Sequence, residues 1–340
     1  MGGKNLKINN KIITRRYNKE EYEEIKKEVL FILRTFGYTC YVCPTFTNKE
    51  SHGDLDVLVK DDGFDRSKLV PFLKKIFKSK KVKNSSLEYK DFQIDLIIIK
   101  SINWQAAKVF YSYGDLSNLL GKMVNKYGNL QKNKIFFKWG FDGVKIKFQK
   151  DSYTKTVVLS KDPKDIFKFL DLDWEEFNKG FKTKYEMFDF VMKSSLFDKR
   201  FFDLDNQRNY ERKRSEKRPD YLEFIEYIKD NDNFQNYRLT YEYYLDIISD
   251  HFNVDLVKSY NEFLDNIKLN KIIRNKFNGN HIIEHFKNFN IDLDKRLIPE
   301  IKDDLKSKIS ELDWDYSDYI LSHNTDEILS LIQIEDYYSD

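Results

Sequence analysis

The chain has 340 residues, 41% of them hydrophobic and 16% aromatic, which is enough apolar matter for a buried core and too much for a disordered segment. Charged residues make up 34% yet nearly cancel to a net +3, which excludes the strongly basic balance that by itself announces a nucleic-acid binder. Two cysteines, Cys40 and Cys43, exclude a Cys₄ zinc site and do not indicate a disulfide framework. With no apolar run near the ~18 residues of a membrane span and a polar stretch over residues 1–11, the chain reads as soluble and intracellular, with no membrane partner.

After the polar arm, Asn18 is a candidate N-cap for a helix whose apolar positions Tyr22, Ile25, Val29, Ile32 and Leu33 repeat at helical spacing up to Gly37. Residues 39–42 read as a strand, 44–53 as a loop and 54–59 as a second strand carrying Asp54 and Asp56. One residue apart on a strand, those carboxylates share a face. A turn at Asp61-Asp62-Gly63 leads to a helix over 67–77 and a basic run over 78–83, either a solvated helix end or a phosphate-facing patch. Residues 88–100 read as one strand, with Asp95 interrupting an apolar run. A buried carboxylate there needs a hydrogen-bonding role or a metal. Three acids on two neighbouring strands make an oxygen-ligand site of the kind that hard cations take beside phosphate oxygens.

Further on, residues 104–118 are aromatic-rich and broken at Gly114-Asp115, a helix follows to about Tyr127, and residues 134–139 and 144–148 read as a hairpin around Gly140 to Gly143. Lys161-Asp162-Pro163 opens another helix ending near Leu172, and from Trp174 onward the pattern is helix and loop. The basic run from Arg208 to Arg218, with Tyr210 and Tyr221 near it, is either a solvated linker or a phosphate contact. Pro219 closes it and marks a candidate boundary. His281, Glu284 and His285 have the H-x-x-E-H order of a zinc site, but nothing else in the chain speaks for a peptidase.

The stretch Lys49-Glu50-Ser51-His52-Gly53-Asp54-Leu55-Asp56 resembles the palm motif of DNA polymerase family X, of the DNA polymerase beta-like nucleotidyltransferase superfamily. Arg15-Arg16-Tyr17-Asn18 resembles that palm's entry, residues 104–128 its thumb entry, and residues 158–172 a short helix near its end. The resemblance covers about residues 12–178. It implies a mixed α/β (α+β) nucleotidyltransferase palm with a mixed sheet and a small thumb-like segment, leaving residues 179–340 as a helical C-terminal domain of unknown role. It further implies an enzyme that adds nucleotides to a nucleic-acid 3′ end, in gap filling or DNA repair, with release of pyrophosphate. Asp54, Asp56 and Asp95 would be catalytic and would hold two Mg²⁺ ions, Mn²⁺ being able to replace them. Ser51, His52, Gly53, Lys49, Phe110, Tyr111, Asn118 and Lys122 would bind the nucleoside triphosphate. The implied partner is nucleic acid, DNA ahead of RNA. Where the family has a Gly-Ser turn and two Arg, this chain has Cys43-Pro44 and Phe46 and Thr47.

Residues 275–329 faintly resemble the C-terminal helices of tRNA nucleotidyltransferases and bacterial poly(A) polymerases. Nucleotide addition to tRNA or to poly(A) RNA therefore stays open, as does a nucleic-acid-binding protein that keeps the palm fold with weak catalysis.

Overall fold

The computed structural model describes residue 3 and residues 5–63, 66–126, 134–231 and 241–337. The chain divides into two compact units, residues 1–257 and 258–340.

The first unit is built on a five-stranded mixed sheet. Its strands run in the order Cys40–Val42, Asp54–Asp61, Phe92–Lys100, Ser86–Tyr89 and Val82–Lys83. Only the central pair is parallel, joined through the helix Arg66–Ile76, since parallel strands need a crossover. The two central strands are β-branched and apolar because both of their faces are covered. Leu55, Val57, Val59, Ile94 and Leu96 are buried with Tyr22, Ile25, Val29 and Leu33 of the helix Lys19–Thr35. Leu58 and Ile99 pack on the opposite face against Trp104 and Ala107.

The first helix starts where its sequence signals say. The Asn18 side chain accepts from the Glu21 N–H and the Glu21 side chain accepts from the Asn18 N–H, a capping box that satisfies two donors at once.

Two readings of the strands need correction. Residues 88–100 are not one strand but the arms of a hairpin, Ser86–Tyr89 and Phe92–Lys100, turned at Lys90 and Asp91. Both turn residues take positive φ, 53° and 58°, the geometry of a two-residue hairpin turn, and no Asn-Gly or Asp-Gly advertised it. The hairpin over Ile135–Gly140 and Gly143–Lys150 gains a third strand, Tyr153–Ser160, from residues assigned in part to the following helix. That helix is Pro163–Phe169, capped by Asp162. Helix Leu116–Lys126 precedes this second sheet, and the proposed helix end at Tyr127 with Gly128 lies outside the described residues.

Neither a division at 178/179 nor one at Pro219 matches the compact units, because residues 179–257 belong to the first. Aromatic contacts hold them there. Phe181 reaches Tyr113, and Phe252 packs on Phe137 and Phe169. His251 Nε2 stands 3.2 Å from the Asp165 carbonyl, and the Tyr244 hydroxyl donates to the Val124 carbonyl. Pro219 is the first residue of the helix Pro219–Tyr227, where its missing N–H costs nothing.

The second unit is helical, with its own core of Ile282, Phe286, Ile301, Leu305, Ile309, Ile320 and Ile328. Its H-x-x-E-H stretch is a helix start, not a metal cluster. His281 Nδ1 accepts the Asn278 N–H at 3.0 Å and its ring stacks on Phe277. Among the described residues no helix is long and apolar enough to cross a membrane.

Leu55 is fully buried between the two acids, and Leu55→Ala should lower unfolding stability by about 2–5 kcal/mol. The exposed Phe31→Ala should change it by less than about 0.5 kcal/mol. Equilibrium urea denaturation of both variants measures the contrast.

Candidate functional site

The parallel register sets Asp54 opposite Gln93, Leu55 opposite Ile94 and Asp56 opposite Asp95. Residues opposite one another in a pleated sheet share a face, so Asp54, Asp56, Gln93 and Asp95 point the same way. Gln93 is buried and holds Asp95: its Nε2 donates to Asp95 Oδ2 at 2.8 Å, while its Oε1 accepts the Asn5 N–H at 3.1 Å. Asp95 Oδ1 is buried and has no hydrogen-bond partner.

None of the three carboxylates forms an ion pair among the described residues, and the electrostatics show it. Burial and then the Asp95 charge raise the Asp54 carboxyl above the ordinary carboxylate range. Asp56 looks into an open cleft but is crowded by protein on its other sides. Burial, followed by Asp54 and Asp95, pushes it up to about 7, with Lys49 pulling the other way.

Asp54 and Asp56 form part of the lining of a cavity of about 1150 Å³. Of the residues expected to bind nucleotide, Lys49, His52, Phe110, Tyr111, Asn118 and Lys122 line it as well. Phe110 and Tyr111 meet edge to face, Trp139 and Phe141 pack around them, and Asn118 keeps a buried Nδ2 without a partner. His52 is buried, stacked on Tyr22 at 3.7 Å, and donates from Nε2 to the Lys49 carbonyl at 3.2 Å. Burial, followed by the nearby Lys49 charge, holds its pKa below the usual value.

Ser51, Gly53 and Asp95 are not in the cavity lining. Ser51 is turned to Arg16, whose Nε donates to its hydroxyl at 2.7 Å, with a second bond to its carbonyl at 2.8 Å. Gly53 is covered by the N-terminal arm. Gly3 lies so close, at φ +82°, that a Cβ there would stand 2.1 Å from the Gly53 oxygen. Of the two, the Ser51 side chain is engaged by an arginine and the Gly53 backbone is buried, both outside the cavity lining.

Sequence reasoning passed over the arm and Gln93. Gln93 stands two positions before Asp95, the same-face spacing that singled out Asp54 and Asp56, so its signal was present. The arm had only two scattered aliphatics, Leu6, which is fully buried, and the exposed Ile8, to announce it. The loop before the acids is also tied down. The Pro44 carbonyl accepts the Tyr113 N–H, and the N–H groups of Thr47 and Asn48 donate to the carbonyls of Phe181 and Lys182. Burial pushes the Cys43 thiol up to about 12, and with Cys40 it is a buried free cysteine, not a redox couple.

Among the described residues no three His, Cys, Asp or Glu side chains stand in an arrangement that grips an ion as placed. What fits a divalent cation is the chemistry: an all-oxygen donor set, like charges without an ion pair among the described residues and an orphaned buried oxygen on Asp95. No family model matches the chain and no curated protein matches it.

The raised carboxyls set a sign. Between about pH 4, where a free aspartate releases its proton, and about 7, the folded chain keeps a proton on Asp56 that the unfolded chain has lost. This site therefore destabilises the fold progressively as pH rises through that window. Asp56→Asn should raise the thermal midpoint above that of the parent at pH 8 and lose the advantage near pH 4. Calorimetric scans across the range read it, and equal midpoints at pH 8 contradict it.

Proposed function

We propose that the chain is a metal-dependent nucleotidyltransferase, resembling DNA polymerase family X, that extends a nucleic-acid 3′ end. The observation that carries this reading is the parallel pairing of Asp56 with Asp95, with Asp54 two residues before on the same face, beside a cavity large enough for a nucleotide. In this reading the five-stranded sheet is the palm and residues 104–169 supply the thumb-like segment.

Asp54, Asp56 and Asp95 would hold the Mg²⁺ ions, which when bound neutralise charge on the attacking and leaving oxygens of an in-line displacement. The rings of Phe110 and Tyr111 take the sugar, and the unpaired Nδ2 of Asn118 donates to an acceptor on the base edge. Lys49 brings positive charge to the phosphates on the side where it already acts on Asp54 and Asp56. The 3′-hydroxyl oxygen bonds to the α-phosphorus and the bridge to the β-phosphate breaks. Pyrophosphate departs and the hydroxyl proton passes to a carboxylate that lines the cavity, Asp54 or Asp56.

Purified protein with Mg²⁺ or Mn²⁺, offered gapped DNA, single-stranded RNA and tRNA with each nucleotide, tests the reading. Incorporation should appear and should vanish in Asp54→Ala and in Asp56→Ala, with circular dichroism unchanged. Template-directed addition to gapped DNA supports the family X likeness, whereas addition to tRNA or RNA alone supports the RNA enzymes. Activity surviving either substitution removes the metal-site reading, and no incorporation on any substrate favours a binding protein.

A further inference from the structure

Six cationic side chains line the cavity: Lys49, Lys122, Lys182, Lys184, Arg214 and Arg218. Three are committed to protein partners. Arg218 pairs with Asp115 and Lys184 with Glu223, while Lys122 donates to the Ser215 hydroxyl and lies over the Tyr221 ring. Lys182 and Arg214 are exposed, and neither side chain has a hydrogen bond or ion pair among the described residues. Tyr185 and Tyr210 line the same cavity, and Tyr210 is 77% exposed, a large ring left in water.

The backbone fixes where these groups stand. The Lys182 carbonyl takes the Asn48 N–H and its own N–H donates to Glu186 Oε2, so Lys182 is anchored to the loop that leads to Asp54. Arg214 rides on the helix Asn209–Ser215, whose last residue is pinned through the Ser215 hydroxyl to Gln207 Oε1. Glu211 and Asp220 also line the cavity, but the cations outnumber the acids away from Asp54 and Asp56. The turn before those acids has little to offer a phosphate: Pro44 has no N–H, and residues 46 and 47 are Phe and Thr.

We infer that Lys182 and Arg214, with Tyr185 and Tyr210 beside them, form a phosphate-binding wall for the substrate of this cavity, supplied by a loop and two helices that follow the mixed sheet. Its purpose rests on the nucleotidyl-transfer reading, but the binding does not. Phosphates of a strand backbone and of a nucleoside triphosphate share the recognising chemistry, and exposed rings beside unpaired cations suit a strand whose bases stack.

The test measures binding in EDTA, where no transfer can occur, using a fluorescent single-stranded oligothymidylate and, separately, a non-hydrolysable nucleoside triphosphate. The double variant Lys182→Ala with Arg214→Ala should weaken binding about tenfold. Its dependence on log salt should be shallower by about 0.7 for each strand phosphate that the variant leaves unneutralised. Lys182→Arg with Arg214→Lys should retain binding, and thermal midpoints should match the parent because both side chains are exposed and neither makes a hydrogen bond or ion pair among the described residues. Weakening confined to the oligonucleotide makes the wall a strand site, and weakening confined to the triphosphate makes it the nucleotide clamp. Unchanged binding of both overturns the inference. Binding of this kind by a chain that incorporates no nucleotide would sink the transferase reading and leave the wall standing.

Discussion

Two strands pair in parallel with Asp56 directly across from Asp95, and this forces like charges together at one end of an otherwise apolar sheet. The core could not slip the register by one residue to relieve them, because every side chain of the strand would then change face and Leu55, Val57 and Val59 would leave their packing. The repulsion is therefore held in place by hydrophobic burial. Several features follow from it: the raised carboxyls of Asp54 and Asp56, the Gln93 amide that satisfies one oxygen of Asp95, and the N-terminal arm that reaches Gln93 through Asn5. Carboxylates kept together at such electrostatic cost suit the binding of cations.

Around this floor the cavity is assembled from distant pieces of chain. The loop before Asp54 is tied to residues 181–182 by main-chain hydrogen bonds, and helices as far as residue 252 pack on the second sheet through phenylalanine contacts. This is where much of the 16% aromatic content goes. It lets helices rich in charge on their outer faces bury large rings on their inner ones. The basic run around Arg214, ambiguous as a string of letters, becomes part of a cavity lining because Tyr221 and Phe224 are buried just beyond it.

Some of this was legible in the residues. The first helix and its cap, the strand of Asp54 and Asp56, the switch to helices after Trp174 and the same-face pairing of those two acids all express periodicities of 2 and 3.6 or a local capping bond, which depend on neighbours within four residues. The Lys90-Asp91 turn and the Tyr153–Ser160 strand were not legible. The turn residues carry no turn signature, and the strand alternates exposed and half-buried positions with little apolar contrast.

What the sequence determined by itself was therefore local: which segments are helix or strand, and that three acids sit on two strands able to pair. Tertiary structure alone decided that Asp95 meets Asp56, that Ser51 belongs to Arg16, that His52 is buried and stacked on Tyr22, and that Lys182 and Arg214 share a cavity with Asp54. Those outcomes depend on contacts between residues tens to more than a hundred positions apart. Such contacts arise from burial of whole faces against one another, and no short-range pattern of side chains encodes them.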